Sequence, residues 1–433
     1  MSAAALPART GKTRQPWTID VASLQRGILW TFVTCGASAA IEPSPYEFMF
    51  VVAALTLSGN ALLFHRTMIP MIVLLAAFNA GGLLALVPFV DERASLTFVA
   101  ISIYIAITTI FFAALVAKDP VGRMRTIRSG YIATGFIAAV LGILGYFDVA
   151  GLGHYFTLYD NARAMGPFKD PNVFGPFLVP PIVWIVQDIL LKRGVGFWRG
   201  VVPLAVMILG VLLSFSRGAW GVLVLSASLM IGLTFLTASA PALRQRIVLL
   251  TILGAAFVAV GIVVALSIPA ISSVFVERAS LSQEYDLGEL GRFGAQLRSI
   301  PLLLESPFGF GPLHYAKIFP TDPHQVYINA FASYGWLGGL SFITFTCVTL
   351  YVGFRLVLQR SPYQIDSIAV WSCLLPQMAQ GFQIDTDHWR HLYLMFGCLY
   401  GLVAAASVAA HRANKPLPPD NRVGVTAKRP PIA

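Results

Sequence analysis

Three side chains stand out by type and placement: Arg217, Arg292 and His324. Arg217 sits in Leu213-Ser-Phe-Ser-Arg-Gly-Ala-Trp220, where two apolar runs meet with hardly a loop between them. An arginine at or near membrane depth is costly, which points to function. The alternative is a snorkelling arginine that marks the interface, an arrangement more usual on the cytoplasmic side than on the opposite side, where charge places this one. Arg292 lies on the polar face of an amphipathic segment; a solvated face is its plain alternative, and Arg278 and Arg298 in the same loop compete for any role. His324 follows Asp322-Pro323. A proline favours an extended residue before it and a helix after it, so His324 is expected in the first helical turn. A helix N-terminus disfavours imidazolium and leaves a neutral ring able to accept a proton; an interfacial histidine with no task is the alternative. Guanidinium groups offer fixed charge and paired donors to an anion, and a neutral imidazole suits proton removal near neutral pH.

Other candidates carry less. Asp170 and Asn172 in Gly166-Pro-Phe-Lys-Asp-Pro-Asn172 can cap the following helix, which accounts for both; they also stand where substrate could be reached. Asp385 and Asp387 beside Trp389 could orient a base or a sugar hydroxyl, although a solvated loop is the simpler reading. His154 and His314 share the same face, and His388 and His391 read as interfacial. Gly335, Gly338 and Gly339 most simply allow helices to pack closely.

The elements that must position these residues follow from composition. Of 433 residues, 57% are hydrophobic and 12% charged, against about 25% charged in soluble domains. The chain therefore reads as an all-α polytopic membrane helix bundle. A span needs about 20 apolar residues, and twelve such segments can be placed: roughly 22–41, 46–64, 68–90, 95–117, 130–147, 173–191, 200–216, 218–237, 247–269, 324–354, 363–381 and 391–410. The net charge of +10 comes mainly from short basic clusters between apolar runs, the pattern of the positive-inside rule, and does not imply nucleic acid. Alternating the spans puts 21 of the 30 Lys and Arg residues on one side. That side is expected to be cytoplasmic and to hold both termini. The organisation expected is a cytoplasmic tail over 1–20, a transmembrane region over 21–410 with a large non-cytoplasmic loop at 270–323, and a disordered cytoplasmic tail over 411–433. The first apolar run lacks a clear cleavage site and reads as a retained span.

Within the large loop, 289–305 predicts an amphipathic helix. Leu290, Phe293, Leu297, Ile300 and Leu304 recur at three- and four-residue steps, with Arg292, Gln296 and Ser299 on another face. Such a helix lies on the bundle or at the membrane interface. Ser306-Pro-Phe-Gly-Phe-Gly-Pro312 then ends it in turn-forming residues. The four cysteines show no CxxC spacing and read as small buried hydrophobes. There is no Walker loop, dinucleotide fingerprint, HExxH or GxSxG, and no acidic pair in the loop whose spacing compels a metal site.

His324-Gln325, nine residues, Gly335, two residues, Gly338 resembles the motif of bacterial O-antigen ligases. Leu213-Ser-Phe-Ser-Arg217-Gly-Ala-Trp, Gly291-Arg292 and Glu305-Ser-Pro-Phe-Gly-Phe-Gly311 resemble further landmarks of the O-antigen ligase/polymerase superfamily, and Gly166 to Asn172 is similar to its upstream pattern. The resemblance spans roughly 166–340. It implies an inner-membrane glycosyltransferase facing the periplasm that takes a glycan from undecaprenyl diphosphate and passes it to an acceptor hydroxyl. The acceptor is lipid A-core in ligases and another lipid-linked repeat in polymerases of O-antigen, capsule or exopolysaccharide. No metal, nucleotide sugar or other cofactor is implied, and the partners are these lipid-linked glycans and the membrane lipids, with no nucleic acid. His324 becomes the base or acceptor-positioning residue, Arg217 and Arg292 the diphosphate binders, and Gln325, Asp170 and Asn172 further substrate contacts. The ligase reading stands first and the polymerase second. A lipid-linked oligosaccharide flippase is the third; it would place ionisable residues along mid-span pathways, where few are found.

Overall fold

The computed structural model describes residues 20–38, 40, 43–58, 61–158, 163–191, 197–279 and 291–413. Both expected tails, apart from their innermost residues, and the expected helix start at 289–290 lie outside them. The chain is a bundle of helices: α1 (Val21–Thr34), α2 (Pro45–Leu57), α3 (Ile69–Leu86), α4 (Arg93–Lys118), α5 (Pro120–Tyr146), α6 (Gly153–Phe156), α7 (Pro171–Phe177), α8 (Val179–Leu191), α9 (Phe197–Leu213), α10 (Arg217–Thr237), α11 (Pro241–Leu266), α12 (Pro269–Ala279), α13 (Arg292–Leu304), α14 (Tyr315–Ile318), α15 (Val326–Leu358), α16 (Gln364–Gln380) and α17 (Arg390–Ala413). One two-residue hairpin, β1 (Thr157–Leu158) with β2 (Arg163–Ala164), pairs Thr157 with Ala164 and Leu158 with Arg163.

Each of the twelve expected spans holds helix. Eight helical segments among the described residues are long and apolar enough to cross a bilayer. The other four, α1, α2, α9 and α16, have 14, 13, 17 and 17 residues. Starts follow local chemistry. Asp20 accepts the Ala22 N–H at 3.1 Å, and Ser44 and Glu47 form a reciprocal capping box ahead of α2. Proline occupies the first position of α2, α5, α7 and α11, where its missing N–H costs nothing. The expected span at 173–191 divides into α7 and α8 around Leu178, as Pro180 and Pro181 remove backbone donors there. The large loop differs from expectation at its start, because 272–279 is helix, part of α12.

Burial separates an inner set of helices from an outer one. The most apolar window of α17 is 78% buried, whereas that of α11 is 6% buried. A helix that is apolar all round and unburied belongs against lipid. α15 packs along α3, α17 along α4, and α10 against α16. At the end of the bundle away from Arg217 and His324, Arg128 ties three helices together, with Asp188 at 2.6 Å and Asp366 at 2.9 Å. Losing one partner of so enclosed a pair leaves an uncompensated charge.

The long helix α15 is broken at Gly335, whose backbone is left-handed (φ +66°). The break frees the Ala332 carbonyl, which accepts N–H groups from Phe310 at 2.8 Å and Gly311 at 3.1 Å. The Trp336 N–H donates to the Pro307 carbonyl at 2.9 Å, and its indole N–H to Leu303 O at 2.8 Å. The 306–311 turn is thus inserted into the gap. A Cβ on Gly335 would lie 2.6 Å from Pro307 O, so this glycine serves the break and not helix packing alone. Close packing is the role of Gly338: a Cβ on its neighbour Gly81 in α3 would come within 2.6 Å of the Gly338 nitrogen.

Gly335→Ala combines a disfavoured φ with a steric clash and is expected to cost at least about 2 kcal/mol. A clear fall in the melting temperature of the purified full chain checks this; an unchanged melting temperature would show that the break tolerates a side chain.

Candidate functional site

Both candidate arginines are the first residues of helices. Arg217 opens α10 after a tight turn in which Phe215 adopts φ +46° and Ser216 caps the helix by accepting the Ala219 N–H at 3.3 Å. Arg292 opens α13 after Gly291. Unpaired N–H groups and the helix dipole favour anions at such ends, so each guanidinium adds to a field of its own sign. Both side chains are half-buried.

His324 is not in the first turn of α15. The helix begins at Val326, Gln325 is extended, and His324 has φ +44° with its ring exposed. The cause lies outside the local sequence. The connection from α16 to α17 takes up the N–H groups that precede the helix: Gln325 N–H donates to Asp385 Oδ1 at 3.1 Å, and Val326 N–H to Gly381 O at 2.8 Å. Holding both requires the chain to reverse at His324, a conformation that non-glycine residues adopt only when their surroundings impose it.

The same connection gathers the other candidates. Arg292 Nη1 donates to the Gln383 carbonyl at 3.3 Å. Gly218, next to Arg217, faces the Gln380 side chain so closely that a Cβ there would lie 2.7 Å from Nε2. The starts of α10, α13 and α15 therefore converge on 380–385. Arg298 is exposed and stacks over Phe319 at 5.9 Å; the Arg278 side chain lies outside the described set.

Asp170 caps α7 by accepting the Asn172 N–H at 2.7 Å, and it also lines a cavity of about 450 Å3 beside the convergence point. Asn172 Oδ1 accepts from Arg163 Nη2 at 3.0 Å, while Arg163 Nε donates to Ser214 O at 3.0 Å. Arg163 thus fastens the α7 start to the turn that presents Arg217. Nothing in the local sequence marks Arg163 except its side: few arginines fall opposite the basic face, and each of those invites scrutiny.

The 385–391 stretch is buried or half-buried and is not a solvated loop. Asp387 is buried and accepts from Asn329 Nδ2 at 3.3 Å. His388 has Asp387 Oδ2 at 3.1 Å from Nδ1 and the Phe98 carbonyl at 3.0 Å from Nε2. Acceptors at both nitrogens favour the imidazolium form. Burial opposes that charge, the Asp387 carboxylate favours it, and the balance lifts His388 above its ordinary pKa. Burial also raises the Asp385 carboxyl well above the usual range, with the neighbouring Asp387 and Asp322 charges acting the same way. His391 is 5% exposed, stacked on Trp389 with ring centres 5.2 Å apart. Arg390 is held by Glu47 and by Ser44 Oγ. Asn329 and Ser333, bonded at 2.8 Å one turn apart inside α15, were a polar pair visible in an apolar span.

Two histidines stay apart from this centre. His154 is exposed on α6. His314 donates from Nδ1 to Pro312 O at 2.8 Å and stacks on Phe89, its centroid 3.8 Å away. Its Nε2 meets Lys317 Nζ at 2.6 Å, and Lys317 bonds Glu92 at 3.1 Å. This cluster latches the 306–319 segment to the start of α4.

The raised Asp385 pKa has a defined consequence. Between the unfolded value and the higher folded one, the native chain holds a proton that the unfolded chain has lost, so stability falls as pH rises. The slope of melting temperature as pH rises above about 4 is expected to flatten in Asp385→Asn, whose carboxamide still accepts the Gln325 N–H. An unaltered slope would mean that Asp385 is ionised throughout.

Residues 202–343 match the family model described as O-antigen ligase. The match covers Arg217, Arg292, His324, Gln325 and the Gly335 break, and it supports membership of the O-antigen ligase/polymerase superfamily, a multi-pass membrane protein and glycan transfer of the ligase/polymerase type. No curated protein matches the chain.

Proposed function

We propose that this chain, as a member of the O-antigen ligase/polymerase superfamily, transfers a glycan from undecaprenyl diphosphate to an acceptor hydroxyl at the periplasmic face of the inner membrane, with lipid A-core as the acceptor. One observation carries the reading: the starts of three helices, bearing Arg217, Arg292 and the His324-Gln325 pair, meet at the 380–385 connection. A double negative charge is best held where helix N-termini and guanidinium groups coincide.

In the proposed reaction the acceptor oxygen attacks the anomeric carbon of the donor. The bond from that carbon to the diphosphate oxygen breaks, and undecaprenyl diphosphate leaves with the electron pair. The acceptor proton passes to the His324 imidazole, which the left-handed backbone turns outward into the exposed corner. Diphosphate is already a good leaving group, so stabilising its developing charge is the main task, and Arg217 and Arg292 meet it. Gln325 is fixed through its backbone to Asp385 and places His324. Asp170 and Asn172 hold the α7 start, with Asp170 reaching the adjoining cavity.

Arg217→Lys keeps the charge but loses the forked donor pair, and transfer in a reconstituted assay is expected to fall at least about tenfold. Near-normal transfer would sink the clamp role. His324→Ala is expected to insert normally and lose transfer; substantial turnover would remove it as the base. Offering or withholding lipid A-core in the same assay separates a ligase, which needs it, from a polymerase, which extends lipid-linked repeats without it.

A further inference from the structure

The 380–391 connection has two unlike sides. Its first part, Gln380 to Gln383, meets the arginine-bearing helix starts. Its second part, from Asp385 onward, forms one wall of the 450 Å3 cavity, which neither Arg217, Arg292 nor His324 lines. That volume lies within the range of roughly 300–1,000 Å3 typical of small-molecule sites.

The wall chemistry is specific. Asp322, Asp385 and Asn329 present oxygen and amide groups, and Phe98, Tyr315 and Trp389 present rings. The cations that also line it are largely committed: Arg390 to Glu47 and Ser44, His388 to Asp387 and the Phe98 carbonyl. Lys169 at the rim is exposed. Two buried polar atoms of its lining residues have no protein partner, Nε2 of His391, in a side chain 5% exposed, and Oη of Tyr315, in a side chain 2% exposed. A buried ring nitrogen left unbonded costs free energy unless a ligand or water completes it.

A diphosphate does not suit this wall, since Asp322 and Asp387 repel it. An uncharged ring with hydroxyls on its edge and C–H groups on its faces does. Carboxyl and amide groups take the hydroxyls, aromatic faces take the ring, and His391 Nε2 takes one further hydrogen bond.

We propose that this cavity is a saccharide subsite holding the sugar ring that carries the attacking hydroxyl. The word acceptor rests on the glycan-transfer reading above; sugar binding in the cavity does not. Asp322 and Pro323 line it, and His324 follows them directly. The acceptor ring and the lipid diphosphate then approach His324 from opposite sides of the 380–391 connection. A carboxyl kept neutral at Asp385 can donate to a sugar oxygen as well as accept, which an ionised one cannot.

The test is direct binding to the full chain in lipid nanodiscs, read by calorimetry without turnover. The probes are core oligosaccharide freed of lipid A, O-antigen repeat oligosaccharide freed of lipid, and inorganic pyrophosphate. Ile101→Trp fills the cavity from α4, and Asp322→Ala removes an exposed carboxylate with little risk to folding. Saturable binding of either oligosaccharide, weakened at least about tenfold by both variants while pyrophosphate binding holds, supports the subsite. Absence of saturable binding of both oligosaccharides, binding unmoved by the variants, or cavity variants that weaken pyrophosphate instead would each overturn it. If Arg217→Lys leaves pyrophosphate binding intact while the cavity variants abolish sugar binding, the subsite stands and the diphosphate clamp falls.

Discussion

The backbone of α15 is the constraint on which the rest depends. A membrane helix that breaks must find partners for the groups it frees, because hydrocarbon offers none and each orphan costs several kcal/mol. At Gly335 those partners come from the 306–311 turn, which gives two N–H groups to Ala332 O and a carbonyl to Trp336. At the helix start they come from Asp385 and Gly381. The ten residues between these two anchors are thereby fixed at both ends. His324 is held in a reversed backbone as a consequence, and Asn329 is held facing Asp387.

That arrangement explains why residues so distant in sequence share one corner. α13 is tied to α15 through the Trp336 indole and through Gln296, whose side chain donates to Pro323 O at 2.7 Å. α10 reaches the corner by packing against α16, and Arg163 secures the turn before it. The 380–391 connection then separates two electrostatic regimes, guanidinium groups with helix starts on one side and carboxyls with aromatic rings on the other. A transfer reaction between a diphosphate and a hydroxyl needs these two environments close together but distinct.

α13 shows how an amphipathic pattern can be read correctly yet docked in the unexpected sense. Its polar face, Gln296 and Ser299, is buried against the bundle, while Phe293, Leu297, Ile300 and Leu304 face outward, Leu297 being 70% exposed. In a soluble protein that would be inverted. In a membrane protein it is consistent, since the apolar side meets lipid and the polar side finds hydrogen bonds inside the protein.

The amino-acid sequence by itself determined the helical class, the placement of all twelve apolar helices, an amphipathic helix in the large loop, and the pairing of a histidine with two downstream glycines. These are local properties: apolar run length, capping residues, proline positions and period. Only the tertiary structure decided the rest. His324 left the helix because Asp385 and Gly381, some 60 residues on, claimed the N–H groups it would have preceded. Asp387, His388 and His391 read as solvated or interfacial because nothing near them in sequence reveals Asn329, Phe98 and Phe177 closing over them. Arg163 carries no local signal of its role because its partners, Asn172 and Ser214, reach it from the start of α7 and the turn after α9. Sequence periodicity reports which face of a segment is apolar, while burial and pairing depend on what arrives from elsewhere in the chain.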